Sequence, residues 1–236
     1  MSKQLVKVTK EGHISYLSLD SPANLNAMGL GIVSDLLAAL IEAEADPGTQ
    51  AIVINSTGKF SAGGDLVSLN KQAKAQDADT LKELVEAVAD VILYIKKMTK
   101  IVISSVNSAP AGAGFSLALA SDMIIVADNA KFLTTFVSVG LVSDGGILYL
   151  LSKAIESSRE LKLSITGRSV TTDEALELGL VAYRDLKALN YTANYSELER
   201  YLKEETVAQS QAVLSDQFIE GTDAFIAKRK PNFSNN

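Results

Sequence analysis

The chain has 236 residues, 47% of them hydrophobic, and a formal net charge of −6. That length supports one sizeable core or two small domains, and the acidic balance, with Lys228-Arg229-Lys230 as its basic cluster, argues against a nucleic-acid surface. The lack of cysteine excludes a disulfide framework, a cysteine nucleophile and a thiolate metal site. The N-terminus opens into alternating residues rather than a signal-peptide core, and no apolar run reaches about 18 residues without a charged or turn residue. A soluble cytoplasmic protein with no membrane partner is expected. Residues 5–9 and 14–19 alternate around Glu11-Gly12 and predict a hairpin, which Ser21-Pro22 ends. Helical periodicity runs from about Leu30 to Ala45 and stops before Asp46-Pro47-Gly48. A strand over 51–56 leads into Ser61-Ala62-Gly63-Gly64-Asp65-Leu66. The polar stretch 71–79 predicts a mobile loop, and a helix follows over roughly 80–98. A strand over 101–106 leads into Ala111-Gly112-Ala113-Gly114-Phe115-Ser116-Leu117 and a short helix, and Met123–Val126 forms another strand. Beyond Gly167 the pattern is mainly helical. Thr171-Thr172-Asp173-Glu174 reads as a helix start, Leu178-Gly179-Leu180 as its stop, and 196–228 as a helical stretch charged on one face. The expectation is a mixed α/β core over 1–195 and a helical C-terminal region over 196–236, packing on the core or on a neighbouring subunit.

The two small-residue turns, at 61–66 and 111–117, carry the chemistry. Each reads as strand, tight turn and helix start, where the first amide N–H groups lack partners of their own. Two such ends facing one pocket would offer two backbone donors to one oxygen, with no side chains to hold a ligand away. That is an oxyanion hole, and it points to acyl chemistry. The bland alternative is tight helix–strand packing with no ligand. A dinucleotide fingerprint fails, because Leu117 stands where its third glycine belongs and no acidic residue ends a following strand about 20 residues on.

A third segment, 139–148, sets Asp144 between an apolar run and Gly145-Gly146, ahead of an apolar helix over 147–151. From this stretch alone Asp144 is a helix N-cap or a base with a raised pKa, and the two roles can coexist. His13, the single histidine, lies in the first hairpin and reads as a surface or strand residue; a G-x-S-x-G elbow is absent. One histidine and unclustered carboxylates give no metal site. Asp122 and Gly167 read as structural.

Together these segments resemble the crotonase (enoyl-CoA hydratase/isomerase) superfamily. Pro22 through Leu25-Asn26-Ala27-Met28 is similar to its P-x-x-x-N-A segment, and Phe60-Ser61-Ala62-Gly63-Gly64-Asp65-Leu66 to its F-x-A-G-x-D-[LI] signature. Val106-Asn107-Ser108-Ala109-Pro110-Ala111-Gly112-Ala113-Gly114 resembles V-N-G-x-A-x-G-G-G, and residues 224–233 resemble the terminal A-F-L-x-K-R-x-P-x-F. The resemblance implies a ClpP-like spiral of ββα units with a helical C-terminal trimerisation region, assembled as a homotrimer or a dimer of trimers. It implies an oxyanion hole from the N–H groups of Gly64 and Ala113, holding the oxygen of a coenzyme A thioester, with no separate cofactor. Asn26, Ala27, Met28, Ala62, Gly63, Asp65, Leu66, Gly112, Ser116, Phe136 and Phe225 would shape the substrate site, and Lys228 would approach the CoA phosphates. Hydratases of the family use two glutamates; here Ser116 and Phe136 occupy those positions. Asp144 aligns with the acid of several enoyl-CoA isomerases and of ring-opened phenylacetate-pathway isomerases, where Pro usually stands in place of Ser143. The expected activity is double-bond isomerisation through a thioester enolate, with Asp144 as proton shuttle. The rivals are a hydratase-like enzyme with atypical water activation and a non-catalytic acyl-CoA-binding scaffold.

Overall fold

The computed structural model describes residues 4–155, 157–178, 195 and 197–233. Its centre is a five-stranded sheet in the order β1 (Val6–Glu11), β2 (Ile14–Leu19), β3 (Ala51–Ser56), β4 (Ile101–Val106) and β5 (Met123–Val126). The first two strands form the expected hairpin, turning at Gly12 with φ 57°, and pair antiparallel from Val6 opposite Leu19 to Glu11 opposite Ile14. The other neighbours are parallel. Parallel strands need crossovers, and helices supply them: α1 (Leu30–Ala45), the pair α2 (Leu66–Lys74) and α3 (Ala78–Lys97), and α4 (Ala113–Ala120). Period-two burial aims Leu17, Leu19, Ile52, Ile54, Val102 and Val106 inward. Ile32, Leu36 and Leu40 of α1, with Leu81, Ile92 and Ile95 of α3, complete that core.

A second, two-stranded sheet pairs β6 (Lys131–Leu133) with β7 (Ser169–Thr171). Around it lie a 3₁₀ turn at Thr135–Val139, then α5 (Ile147–Ala154), α6 (Ser157–Thr166) and α7 (Thr172–Glu177). Thr171 caps α7 as its sequence suggests, accepting the Glu174 N–H at 3.2 Å; Gly179 and Leu180 lie outside the described residues. The chain ends in α8 (Leu198–Ala212), which lies along α3, and α9 (Asp216–Ile226), which packs on α2 and the 3₁₀ turn. Among the described residues no helix is long and apolar enough to cross a membrane.

Two local expectations need correction. The stretch 71–79 is helical apart from residues 75–77, because Asp65 caps α2 at the Ser68 N–H and Leu69, Asn70 and Ala73 turn a buried face inward. Asp77 then caps α3 at the Thr80 N–H. The C-terminal stretch is two helices, because the Ser215 hydroxyl accepts the Phe218 N–H at 3.1 Å and starts α9 afresh. Its apolar side is largely used within the chain: Leu198, Leu202, Val213 and Phe218 are buried, while Val207 and Phe225 are exposed. Asp122 is structural, accepting the Val102 N–H at 2.8 Å, and His13 sits on an exposed turn 3.2 Å from the Gly48 carbonyl oxygen.

Candidate active site

The two glycine turns lie against each other. The Ala111 N–H donates to the Ser61 carbonyl at 3.0 Å, the Met28 N–H to Gly63 at 2.7 Å, and the Gly112 N–H to Leu133 at 3.0 Å. This contact explains the small residues. Gly63 has φ +86°, and a Cβ there would come within 2.7 Å of the Ala111 carbonyl oxygen; one at Gly114 would come within 2.6 Å of Ser61 Cβ. Among the described residues, the N–H groups of Gly64 and Ala113 have no acceptor. Ala113 is the first residue of the wholly buried α4, so its N–H belongs to the positive end of that helix. Both residues line one cavity of about 340 Å³.

The cavity walls are mostly apolar, with Leu66, Leu84, Val85, Val88, Leu141 and Val213 among them, and Asp144 and Gln209 reach it as polar groups. Lys59 lines it as well. Apolar walls with a few convergent polar groups are what a small-molecule site requires.

Asp144 is not the cap of α5. The N-cap position belongs to Gly146, with φ 70°, and the Asp144 side chain turns away from it to accept the Gln209 side-chain N–H on Oδ2 at 2.9 Å. Its other oxygen, Oδ1, is buried and has no hydrogen-bond partner among the described residues. Burial pushes the Asp144 carboxyl up to about 7, and the Gln209 hydrogen bond pulls weakly the other way. The loop carrying it is pinned by Ser116, whose hydroxyl donates to the Asp144 carbonyl at 2.9 Å. The Phe136 ring lies over Gly112, where a Cβ would meet it at 3.4 Å.

Of the residues expected at the site, Met28, Ala62, Gly63, Gly64, Leu66, Gly112, Ala113, Phe136, Asp144 and Phe225 line the cavity. Asn26, Ala27, Asp65, Ser116 and Lys228 are not on its wall. Asn26 is fully buried: its Oδ1 accepts the Ser21 N–H, and its amide donates to the carbonyls of Thr57 and Lys59, which fixes the turn before Met28. Asp65 serves as the α2 cap, and Lys228 follows the end of α9 with φ 53°. Among the described residues no cluster fit to hold a metal ion occurs.

Sequence reasoning missed the contribution of α8. Leu198, Leu202, Glu205, Gln209 and Val213 recur at helical spacing and are all buried. Glu205 Oε2 accepts the Gly146 N–H at 2.7 Å and so satisfies the start of α5 from a distant helix. Burial pushes its carboxyl up to about 8, Asp144 pushes the same way, and the Gly146 N–H and Tyr201 hydroxyl oppose. The signal was available: a glutamate and a glutamine on an otherwise apolar helix stripe.

The chain resembles known proteins over most of its length. The family model described as enoyl-CoA hydratase/isomerase matches residues 9–185. The trans-2-decenoyl-[acyl-carrier-protein] isomerase of Streptococcus mutans is 30% identical, covering 94% of this chain and 94% of its own length. The 1,2-epoxyphenylacetyl-CoA isomerase of Escherichia coli K12 is 28% identical over 95% of this chain and 96% of its own. The crystal structure of an enoyl-CoA hydratase from Mycobacterium avium subsp. paratuberculosis superimposes with a TM-score of 0.86 at 24% identity, covering 98% of this chain and 99% of that one; it shares the fold.

Proposed function

The chain belongs to the enoyl-CoA hydratase/isomerase family, and from that premise we propose that it is an acyl-thioester double-bond isomerase. The observation that carries this reading is the buried carboxyl of Asp144, whose Oδ1 has no partner among the described residues, on the wall of the same apolar cavity as Gly64 and Ala113, whose N–H groups have no acceptor among those residues. The thioester carbonyl oxygen would accept both N–H groups, which favour the charge it gains as an enolate forms. Asp144 Oδ1 takes a proton from the carbon next to the carbonyl of a 3-enoyl thioester, and the electron pair moves into the dienolate. The same carboxyl then returns that proton to the γ carbon, leaving a 2-enoyl thioester; the reverse sequence uses the same groups. A carboxyl poised near 7 is suited to both halves of the exchange.

No water enters this scheme. Hydration needs groups that hold and activate water, and the two positions concerned carry Ser116, engaged with the Asp144 carbonyl, and Phe136. The isomerases of S. mutans and E. coli support a thioester substrate on either carrier, CoA or acyl-carrier protein. Lys59, an exposed cation on the cavity wall, suits the carrier's phosphates. The family resemblance further supports a homotrimer or dimer of trimers, in which Lys228 would reach the substrate of a neighbouring copy.

The test is incubation with 3-enoyl-CoA, 2-enoyl-CoA and a ring-opened aryl thioester, followed by mass and absorbance. Products of unchanged mass with a moved double bond support isomerisation. A gain of one water identifies a hydratase, and unchanged substrates that nevertheless bind identify a scaffold.

A further inference from the structure

We propose that Gln209 and Glu205 are positioning residues for Asp144: a proton on Glu205 Oε1 is donated to Gln209 Oε1, which turns the Gln209 amide nitrogen toward Asp144 Oδ2 and leaves Oδ1 as the one oxygen that exchanges protons with substrate. This rests on the isomerase reading of Asp144. Glu205 and Gln209 are four residues apart on α8, a spacing that stacks side chains on one helix face. They are 8% and 2% exposed. Glu205 Oε2 accepts the Gly146 N–H, and the Gln209 nitrogen donates to Asp144 Oδ2. Among the described residues that leaves Glu205 Oε1 and Gln209 Oε1 both buried with no hydrogen bond of good geometry, the Tyr201 hydroxyl acting on the Glu205 carboxyl as a whole. Buried acceptors rarely stay unmatched, and one proton between these two satisfies both.

The surroundings favour that proton. Among the described residues, the groups acting on Glu205 are the Gly146 N–H of the loop, the Tyr201 hydroxyl of its own helix and the Asp144 carboxyl, none of them a cation. Those acting on Asp144 are its burial and Gln209. With Glu205 neutral, the pair carries at most one negative charge, on Asp144. The relay also fixes the amide: with its oxygen held by Glu205, Gln209 cannot turn that oxygen toward the Asp144 carboxylate. Together with Ser116 on the Asp144 carbonyl and Glu205 on Gly146, it anchors the loop at three points.

The test measures kcat and KM for enoyl-CoA isomerisation from pH 5.5 to 9 in Gln209→Met, Glu205→Met and Glu205→Gln, with Asp144→Asn in parallel and folding checked by circular dichroism. Gln209→Met should lower kcat about tenfold or more, leave KM within about threefold, and move the rising limb of kcat to higher pH by roughly one unit, since the anion loses its donor. Glu205→Met should behave alike. Glu205→Gln, whose amide can donate to Gln209 and accept from Gly146, should restore kcat to within about threefold of wild type. Wild-type kcat and an unmoved limb in Gln209→Met overturn the proposal, as does a Glu205→Gln protein as impaired as Glu205→Met. If the methionine variants do not fold, Glu205→Gln alone decides: kcat within about threefold of wild type is expected, and a loss of about tenfold or more overturns the relay. An active Asp144→Asn protein would instead remove the isomerase reading beneath it, whereas an inactive one with Gln209→Met unaffected removes the relay alone.

Discussion

Gln209 Nε2 lies 2.9 Å from Asp144 Oδ2, and among the described residues no cation acts on that carboxyl. A neutral amide offsets only part of the cost of burying the charge, so between about pH 4 and 7 the folded protein holds a proton on Asp144 that the unfolded chain would release.

That difference makes stability depend on pH. Asp144 rises from 3.8 to about 7 and Glu205 from 4.5 to about 8 on folding. Between these limits the native state binds more protons than the unfolded one, so stability falls as pH rises from about 4 to about 8. Glu220, held low by Arg229, acts in the opposite direction and only below about pH 4.5. Asp144→Asn should therefore be more stable than wild type by on the order of 4 kcal/mol at pH 8, and nearly equal to it at pH 4. Thermal melts across that range check this; parallel curves for the two proteins would contradict it.

Ala113→Pro should remove one donor of the proposed oxyanion hole with little damage to the fold. Proline is tolerated at the first position of a helix, which is where Ala113 stands in α4, and the preceding residue is the permissive Gly112. The expected outcome is a loss of about 10²–10³ in kcat with the circular dichroism spectrum unchanged. Steady-state kinetics on the folded variant checks it.

Much of the fold was legible, for identifiable reasons. The hairpin, the strands at 51–56, 101–106 and 123–126, and α1 carry strong periodic patterns with Gly, Pro or Asp at their ends. The 71–79 stretch misled because its polar exterior hides the narrow buried face of Leu69 and Ala73. β6 and β7 are three residues each, too short to show a period. At the site, Gly63, Gly64 and Ala113 announced themselves through local backbone chemistry. Asp144 was visible as an unusual acid, but the capping role is set aside only when its side chain is seen facing Gln209, 65 residues away. Glu205 and Gln209 required tertiary contact, since nothing within α8 itself says which loop their heads meet.

Val88 lines the main cavity and also a small apolar pocket beneath it, shared with Met28, Val33, Leu36, Ile92 and Leu117. A larger side chain there narrows the space for an acyl chain. Val88→Phe should raise KM for longer acyl thioesters by about tenfold relative to a four-carbon one. A series of chain lengths assayed against wild type checks it; a uniform change across the series would place the acyl chain elsewhere.

The central claim is that Asp144 carries the proton. Asp144→Asn keeps the size of the side chain and can still meet Gln209, but it has no carboxyl to accept and return a proton. Turnover of a 3-enoyl-CoA by this variant, measured beside its affinity for a saturated acyl-CoA, tests the claim directly. Isomerisation should fall by roughly a hundredfold or more while binding persists. A folded Asp144→Asn protein that isomerises at the wild-type rate would contradict the account.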